Sequence, residues 1–465
     1  MNRPDNPPID PALDAYLRGA EAQLLSELCD WLRIPSVSTL PQHKEDIERA
    51  AGWLARTMTA VGLENVELIR SGGHPIVYAD WLHAGSDAPT LLVYGHYDVQ
   101  PADPLEQWTS PPFEPTVRGD DLFARGASDD KGQLFAHVAA VQALLATSGS
   151  LPVNVKFVVE GEEEDGSQAL MDYVPAAVEK LAADACLISD THMLSPQQPL
   201  IIYGLRGMWG GEITVRGPAR DLHSGMFGGA VHNPNQALCE LLARLHDEEG
   251  RVTVPGFYDR VEPLSEQERA ALARVPYDDV TLLKESGAPA VWGEAGFTVT
   301  ERIGARPTLE INGMWGGFTG EGFKTVIPAE AQAKVSCRLV PDQDSAAIGP
   351  MIERFLAEIA PPTVEVTVRT RVHAPATVVP LDVPEIGAAS RAFKRVFGAD
   401  PVFSREGGSI PVATVFQETL DIPILLMGLG LPDDNLHAPN EKLHLPNLFR
   451  GVRVGIALME ELNIA

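Results

Sequence analysis

The sequence is poor in cysteine, in basic residues and in long apolar runs. Its four cysteines in 465 residues, none paired at metal-ligand spacing, exclude a disulfide framework. No run approaches the ~20 apolar residues of a membrane span, and the opening M-N-R-P-D-N-P-P-I-D lacks the apolar core of a secretory signal. With 36 basic against 64 acidic residues, the net charge of −28 argues against nucleic-acid or anionic-membrane partners. We therefore expect a cytoplasmic protein, although the acid excess identifies no substrate.

The composition that remains, 45% hydrophobic and 22% charged, is that of a globular protein long enough for two domains. Helix and strand patterns alternate over the first 200 residues. Helical periodicity covers 10–33, 45–61 and 133–146, and strand candidates lie at 76–82, 90–95, 153–160 and 185–189. Such alternation with Val- and Leu-rich strands predicts a largely parallel sheet covered on both faces.

The pattern changes near Gly207 and returns to alternating helices and strands after residue 376. The intervening part has strand patterns at 211–216 and 331–339, a helix at 235–247, and irregular connections over 251–305; a helix at 383–397, a strand at 423–428 and a helix at 447–462 follow. We predict an α/β domain (1–206 plus 377–465) with an α+β domain (207–376) inserted into it.

The segment L-L-V-Y-G-H-Y-D, residues 91–98, is an apolar run that ends on His96 and Asp98. Residues two apart in an extended segment point to the same face. Both side chains would therefore project from the carboxyl end of a buried strand, where open α/β sheets bind ligands. A histidine held by a carboxylate is a common half of a metal site.

Two further segments carry carboxylates at similar positions. Asp129 lies in R-G-A-S-D-D-K-G just before the helix at 133–146, where a helix cap in a solvated charge cluster is the simpler interpretation. The acidic run E-G-E-E-E-D-G-S, residues 160–167, follows a strand, and carboxylates packed there repel each other unless a cation offsets them. A solvent-facing loop is the alternative for that run.

Asp190 ends another apolar strand, and His437 follows in a loop after the apolar run 423–427. Each signal alone is modest. Together the segments supply two histidines and three carboxylates, which are the ligands of a two-metal hydrolytic site: His96, Asp129, Glu163 or Glu164, Asp190 and His437. The mixed nitrogen and oxygen donors suit Zn²⁺, Mn²⁺ or Co²⁺ better than Ca²⁺ or Mg²⁺. The remaining carboxylate of the Glu163–Glu164 pair is available to take the proton from water.

The motifs G-H-Y-D-V-Q-P, G-A-S-D-D-K-G, E-G-E-E-E-D-G-S, I-S-D and H-A-P-N-E-K-L are similar in order and spacing to those of a known family. Over nearly the whole chain the sequence resembles the carnosinase, glutamate carboxypeptidase and aminoacylase family of di-metal peptidases (clan MH). The motifs D-L-H-S-G-M-F-G-G, N-G-M-W-G-G-F and R-E-G-G-S-I-P resemble those of its cytosolic non-specific dipeptidases and carnosinases. The implied fold is di-zinc exopeptidase-like, with the inserted domain serving as lid and dimerisation domain.

This resemblance implies a role for each candidate. Asp129 would bridge two metals, His96 and Asp190 would complete one, and Glu164 and His437 the other. Asp98 would orient His96, and Glu163, counted back from Gly166-Ser167, would be the general base. The peptide bond after Asp129 is commonly cis in the family. Asp rather than Glu at position 190 is similar to the peptidase members and unlike acylase and desuccinylase members.

The inserted domain carries the candidates for substrate binding. His223 lies in a polar glycine-rich turn and is equally compatible with a surface histidine; the resemblance implies that it reaches the partner subunit's active site in a homodimer and stabilises the oxyanion. Arg338 ends an alternating strand as either an edge charge or a bidentate clamp for a substrate carboxylate. The other candidates are Gly408 and Ser409 in the turn 407–411, His373 and Thr325. We interpret the remaining histidines as structural or surface residues: His43, His74, His83, His137, His192, His232, His246 and His444.

We therefore expect a cytoplasmic, dimeric di-metal dipeptidase whose substrate is a small dipeptide. An N-acyl amino acid hydrolase of the same fold would share every metal ligand. A non-catalytic binding protein is the alternative from another class, and the complete ligand set with Glu163 argues against it.

Overall fold

The computed structural model describes residues 9–408 and 410–464, so the predicted site residue Ser409 lies outside the described part. The chain forms two compact units. The first comprises residues up to Tyr203, Val379–Phe403 and the chain from Val412 onward, and the second comprises Gly204–Val378 and Ser404–Pro411. Each unit has its own sheet and core.

Elements before the second unit alternate between helices and strands. In chain order they are α1 (Pro11–Leu32), α2 (Lys44–Val61), β1 (Glu64–Ile69), β2 (Ile76–Trp81), β3 (Thr90–His96), β4 (Thr116–Arg118), β5 (Asp121–Phe123), α3 (Lys131–Ser148), β6 (Asn154–Glu160), α4 (Gln168–Tyr173), α5 (Val178–Leu181), β7 (Ala185–Ile188) and β8 (Leu200–Leu205). Single 3₁₀ turns occupy Pro41–His43, Leu105–Gln107, Glu163–Asp165 and Val174–Ala176.

The following stretch is strand-rich and carries several short helices. Its elements are β9 (Gly207–Arg216), β10 (Leu222–His223), α6 (Ser224–Phe227), α7 (Pro234–Leu242), α8 (Glu266–Leu272), α9 (Asp279–Ser286), α10 (Val299–Gly304), β11 (Thr308–Gly316), β12 (Val326–Ile327), β13 (Glu330–Leu339), α11 (Ser345–Ile359), β14 (Glu365–Ala374) and β15 (Thr377–Val378). The remaining elements are α12 (Pro384–Phe397), β16 (Val402–Glu406), α13 (Pro411–Leu420), β17 (Ile424–Leu426), β18 (Lys442–His444) and α14 (Leu445–Leu462).

The main sheet of the first unit has a parallel centre. Its strands run in the order β1-β2-β6-β3-β7-β17-β8, and β6, β3, β7 and β17 pair in parallel. The strands on either side of this centre, β2 with β1 and β8, pair antiparallel. The predicted α/β class with a mostly parallel sheet is therefore confirmed. Because parallel strands run in one direction, the carboxyl ends of the four central strands meet at one edge of the sheet.

Helix α3 explains why the sequence around 133–146 is apolar on all sides. It packs against β3 and also against α1 and α14, and residues from Lys131 to Val141 are all buried. A helix buried on every face needs no polar stripe. The left-handed Gly149 ends the helix, since glycine adopts that conformation without a steric penalty.

The second unit is built on a four-stranded antiparallel sheet, ordered β11-β13-β9-β14. Helices α7 and α11 pack on this sheet and bury Leu238, Leu241, Ile348 and Ile352 in a shared core with Trp209 of β9. Strand β13 lies between β11 and β9, so Arg338 is on an interior strand and not on the edge that the sequence allowed.

The prediction of irregular structure over 251–305 is wrong in part, because α8, α9 and α10 lie there. The first and last of these helices have capping boxes, in which Ser265 pairs with Glu268 and Thr298 with Glu301. The spacing of Ser or Thr three residues before Glu is a recognised helix-start pattern. The helices are only six to eight residues long. Their periodicity is therefore difficult to recognise between Pro- and charge-rich flanking residues.

Residues Ser404–Pro411 fall in the second unit, whereas the sequence division placed them in the first. Two contacts within the second unit account for this position. The Arg405 guanidinium forms an ion pair with Glu268, and the Arg206 main-chain N–H donates to the Glu406 carbonyl at 3.0 Å. These contacts join elements that are distant in sequence.

Among the residues that the structure describes, no helix combines the length and apolarity that a bilayer span requires.

His137 joins α3 to two strand ends of the first unit. Its Nε2 lies 2.6 Å from Ser189 Oγ, which in turn donates to the Met427 carbonyl at 2.8 Å. Since the serine proton goes to that carbonyl, the imidazole donates from Nε2 and is neutral. Burial lowers the pKa of His137 to about 4.

Replacing His137 by Gln, which keeps a donor but does not titrate, should remove part of the protein's acid sensitivity. Between pH 6.5 and 4 the unfolded chain protonates at this histidine while the folded chain does not, so folded wild-type protein loses stability as pH falls. The loss integrates to ~3 kcal/mol. Urea unfolding at pH 7 and pH 4 measures it, with exposed His83→Gln as control. Equal pH dependence in wild type and His137→Gln would contradict the assignment.

Candidate metal centre

The site lies at the carboxyl edge of the parallel strands and is built from five chain segments. His96 is the last residue of β3, Asp190 follows β7, and the Glu163–Asp165 turn follows β6. Strand register sets His96 opposite Glu160, the last residue of β6. Asp129 directly precedes α3, and His437 lies in the loop after β17 in a left-handed conformation with φ +58°. The sheet therefore gathers residues that are far apart in sequence.

Three of these side chains converge on one point. His96 Nε2 lies 3.0 Å from Asp129 Oδ1 and 3.6 Å from Asp190 Oδ2. His96 is fully buried, and the side chain of Asp190 is 15% exposed. One ligand atom from each of the three lies within 4.8 Å of the others, a spacing that fits one cation.

A second group of three shares Asp129 with the first. His437 Nε2 lies 2.9 Å from Asp129 Oδ2 and 3.4 Å from Glu164 Oε2. Gln100 donates from Nε2 to the same Glu164 oxygen at 2.7 Å. The two oxygens of Asp129 thus face different histidines, and Asp129 belongs to both groups.

The charges of the site fit a cation. Burial, reinforced by Asp129, raises the pKa of Glu164 to about 8 and raises the pKa of Asp190. Burial raises the pKa of Glu163 to about 7. Burial acts in the same direction on Asp129, but its hydrogen bonds with His437 and His96 prevail and hold its pKa below its usual range. Carboxylates crowded in this way keep their charge only if positive charge offsets it, and divalent ions supply such charge.

Asp98 contacts two parts of the site, His96 and the turn that carries Glu163 and Glu164. Its Oδ1 lies 3.3 Å from His96 Nδ1, on the ring edge opposite Asp129, and its main-chain carbonyl oxygen lies 3.1 Å from the same nitrogen. The same carboxylate accepts the main-chain N–H groups of Glu163 and Glu164 at 3.2 and 3.1 Å. Asp98 therefore holds the histidine ring and the glutamate turn in one arrangement, and the second of these contacts was not foreseen from the sequence.

Asp130 has no role in the sequence analysis, yet it contacts the same strand. The Asp129–Asp130 peptide bond is cis, as the resemblance implies. Asp130 Oδ2 accepts the main-chain N–H of His96 at 3.2 Å. Its approach requires Gly95, because a Cβ there would lie 2.5 Å from that oxygen. Burial, together with Asp190, raises the pKa of Asp130 well above its ordinary value.

Glu441, four residues after His437, is the functional candidate that the sequence analysis missed. Its fully buried carboxylate accepts from Arg125 Nη1 at 2.7 Å and from the main-chain N–H groups of Gly126, Ser128 and Asp129 at 3.0 to 3.1 Å. It fixes the loop that carries Asp129. The motif H-A-P-N-E contained this residue, but its spacing alone does not reveal a contact across more than 300 residues.

In the second unit the structure brings His223 and Thr325 together. β10 and β12 pair antiparallel, and the Ser224 N–H donates to the Thr325 carbonyl at 3.1 Å. The exposed His223 accepts the Gly225 N–H on Nδ1 at 3.0 Å. A neutral imidazole with Nδ1 as acceptor carries its proton on Nε2, so Nε2 is the outward donor.

Arg338 and His373 lie on the two strands that flank β9. Arg338 pairs with Met208 and His373 with Trp209. His373 Nδ1 lies 3.1 Å from Ser345 Oγ, and Arg338 is half-buried. Gly408 follows β16 and borders open space, because a side chain at this position would meet nothing within 4 Å beyond its chain neighbours.

The two groups offer nitrogen and oxygen donors of the kind that bind metal ions. The fold and the site together define a metal-dependent hydrolase. The profile of peptidase family M20/M25/M40 matches residues 92–461, and the chain belongs to this family of metallopeptidases. The family resemblance found in the motifs is therefore confirmed.

Characterised relatives span the whole chain. The Cys-Gly metallodipeptidase dug1 of Schizosaccharomyces pombe is 33% identical, covering 95% of both chains. The human Beta-Ala-His dipeptidase is 32% identical, covering 96% of this chain and 91% of its own. The structure of the M20 family metallo-carboxypeptidase Sso-CP2 from Sulfolobus solfataricus superposes with a TM-score of 0.81 at 32% identity, covering 95% of this chain and 99% of its own.

Substituting Asp98 by Ala should lower metal affinity about 10- to 100-fold, because the groups that orient metal-bound histidines contribute on that scale. Calorimetric titration of chelator-treated protein with Zn²⁺ or Mn²⁺ measures the effect. Asp80→Ala is the matched control: Asp80 is also buried, but it accepts from Asn65 and Tyr78 away from the site. Unchanged affinity in Asp98→Ala, or an equal loss in Asp80→Ala, would refute the orienting role.

Proposed function

We propose that this protein is a dipeptidase that uses two divalent cations, Zn²⁺ or Mn²⁺ and alternatively Co²⁺. One observation carries the proposal: two groups of three ligating side chains share Asp129. His96 and Asp190 complete the first group, and Glu164 and His437 the second. Relatives named Cys-Gly metallodipeptidase and Beta-Ala-His dipeptidase, which match 95% and 96% of this chain, support peptide-bond hydrolysis.

The cations, when bound, supply an activated water and polarise the scissile carbonyl. A protein side chain must then accept the proton that the water releases, and Glu163 is the general base. It follows β6 beside the ligand Glu164, and its main-chain N–H is held by Asp98. A general base must lie within reach of the water whose proton it takes, and the position of Glu163 directly before the ligand Glu164 supports this role. Glu163 takes the proton from water and delivers it to the leaving amine.

Substrate binding falls to residues of the second unit. Arg338 presents a planar guanidinium that matches a terminal carboxylate in bidentate fashion. The main-chain N–H groups of Gly408 and Ser409 serve the same carboxylate, with His373 and Thr325 as further contacts. A clamp of this kind measures peptide length, because only a short peptide places its scissile bond and its carboxylate together.

We further propose a homodimer in which His223 acts in the partner's active site and stabilises the oxyanion. Its Nε2 is the outward donor, as that role requires. Large apolar side chains of the second unit are exposed, among them Met226 at 76%, three residues after His223, and Phe323 at 93%. Exposed apolar groups of this size mark interaction surfaces, and Phe227, Trp315 and Phe318 are exposed as well. The cytoplasmic location stays a prediction from the sequence.

Glu163→Gln should lower dipeptide turnover about 10²- to 10⁴-fold, the contribution of a positioned general base, while two metals still bind. Steady-state kinetics with a panel of dipeptides, together with metal analysis, tests this. Asp165→Asn, a neutral change at an exposed residue in the same turn, is the control. Full activity in Glu163→Gln would reject the assignment, and no peptide cleavage by metal-replete wild type would favour a binding protein.

The same panel should distinguish the rival N-acyl amino acid hydrolase, which would use the same ligands. We expect dipeptides to be cleaved and N-acetyl and N-succinyl amino acids to be poor substrates, in keeping with Asp at position 190. Strong turnover of the acyl compounds without dipeptide cleavage would establish the rival activity instead.

Mixing two inactive variants tests the role of His223 across the dimer. His223→Ala should lose about 10²- to 10³-fold in kcat, the scale of one lost oxyanion donor. When the His223→Ala protein is refolded together with the Glu163→Gln protein, half of the dimers contain one subunit of each variant. If His223 acts in the partner's site, each mixed dimer has one site in which both residues are intact. Activity should return to about one quarter of wild type if His223 acts in the partner's site. No recovery, with mixed dimers present by mass, would contradict this.

A further inference from the structure

Three buried side chains of the first unit connect the loop that carries Asp129 with the segment that carries His437. They are Glu441, Gln133 and Asp434, and each is at most 1% exposed. Each forms hydrogen bonds with the Asp129 loop. The two segments are therefore joined by more than the contact between Asp129 and His437 themselves.

The two oxygens of Glu441 divide the loop between them. Oε2 accepts Arg125 Nη1 at 2.7 Å and the Gly126 N–H at 3.0 Å. Oε1 accepts the main-chain N–H groups of Ser128 and Asp129 at 3.0 and 3.1 Å. Both ends of the side chain must therefore be acceptors. A carboxylate meets this condition and a carboxamide does not, because one end of a carboxamide is a donor.

Gln133 and Asp434 both contact Ser128, which directly precedes the aspartate shared by the two metal groups. Gln133 donates from Nε2 to the Ser128 carbonyl at 2.8 Å. Its Oε1 accepts the main-chain N–H groups of Leu429 and Gly430 at 2.6 and 3.3 Å. Asp434 Oδ2 accepts the Ser128 hydroxyl at 2.9 Å. One side chain from each segment thus reaches across to the other.

His437 lies in a loop that is closed at its base. The Lys442 N–H donates to the Asp434 carbonyl at 3.0 Å, so the chain forms a closed loop between these two residues. Asp434 and Glu441, one on each side of this base, both contact the Asp129 loop. The position of His437 relative to Asp129 therefore depends on Glu441.

The first metal group depends on Glu441 through one of its three ligands. His96 ends β3 and Asp190 follows β7, and these two strands pair directly in parallel. The sheet therefore fixes both of these ligands. Glu441 acts on the third, Asp129, by holding its main-chain N–H.

The second metal group depends on Glu441 through two of its three ligands. Asp129 is held directly, and His437 is held through the base of its loop. The third ligand, Glu164, is positioned by Asp98, which accepts its main-chain N–H at 3.1 Å. Loss of the Glu441 carboxylate should thus disturb the second group more than the first.

We propose that Glu441, assisted by Gln133, is a positioning residue for the second metal group and sets the affinity of the second cation. The inference rests on the proposed function, in which two cations bind. Glu441→Gln preserves the size of the side chain but turns one of its ends into a donor that faces N–H groups. We expect the second cation to bind about 10- to 100-fold more weakly, the range for groups that orient metal ligands, and the first to be affected much less.

Calorimetric titration of chelator-treated protein with Co²⁺ tests this in wild type, Glu441→Gln and Glu461→Gln. Glu461 is the matched control, because it is a buried glutamate of the same unit whose carboxylate accepts from Arg391 and Arg395. Glu461→Gln should bind two equivalents as wild type does, whereas Glu441→Gln should bind one equivalent normally and the second weakly. An equal loss for both equivalents, no loss, or the same change in Glu461→Gln would overturn the inference.

The visible absorption of bound Co²⁺ identifies the group that holds the remaining equivalent. The spectrum of Glu441→Gln with one equivalent should match that of His437→Ala, which lacks a ligand of the second group. It should differ from that of Asp190→Ala, which lacks a ligand of the first group. A match to Asp190→Ala instead would contradict the assignment of Glu441 to the second group.

Gln133→Met gives an independent measurement if Glu441→Gln does not fold, because it leaves the pair of Arg125 and Glu441 intact. It should also weaken the second equivalent selectively, and an equal effect on both equivalents, or none, would reject the inference. Binding of one equivalent by wild type would reject the two-cation proposal and the inference together. Two equivalents in wild type, with unselective loss in the variants, reject the inference alone.

Discussion

The crowding of buried carboxylates around Asp129 is the constraint on which the first unit depends. Glu164 and Asp190 follow the parallel strands β6 and β7, and each lies close to Asp129. Burial raises the pKa of Glu164, and the charge of Asp129 adds to the rise. The two histidines that face Asp129 offset only part of this charge. Repulsion between these carboxylates therefore destabilises the metal-free site. A bound cation removes this repulsion, which contributes to its affinity.

Much of this site follows from the sequence, for a simple geometrical reason. An apolar run that ends on His96 or Asp190 marks a buried strand, and parallel strands end at one edge. The helix after Asp129 can also be predicted from the sequence, since most of its residues are apolar. These features depend on local pattern plus one rule of topology. The bridging arrangement of Asp129 came instead from family resemblance, and the two histidines facing its two oxygens agree with it.

The sequence did not reveal interactions that depend on distant segments meeting in space. Glu441 contacts the loop before α3 across more than 300 residues, and its environment on the chain looks like that of any loop glutamate. A cavity of the second unit is likewise lined by Arg206, Arg302 and Arg338, which come from three separate segments. Between 251 and 305 the helices are short, and Pro-rich flanks hide their capping signals. Local pattern carries little information in each of these cases.

The contact between His437 and Asp129 joins positions 308 residues apart. The group of Asp129, Glu164 and His437 exists only when the last part of the chain has folded onto the first, so the unfolded chain offers no comparable set of ligands. A cation that binds only the folded form shifts the folding equilibrium by mass action, by about 4 kcal/mol when its concentration is 1,000 times its Kd. A cation held by this group would therefore stabilise the packing of the segment that carries His437 on the segment that carries Asp129.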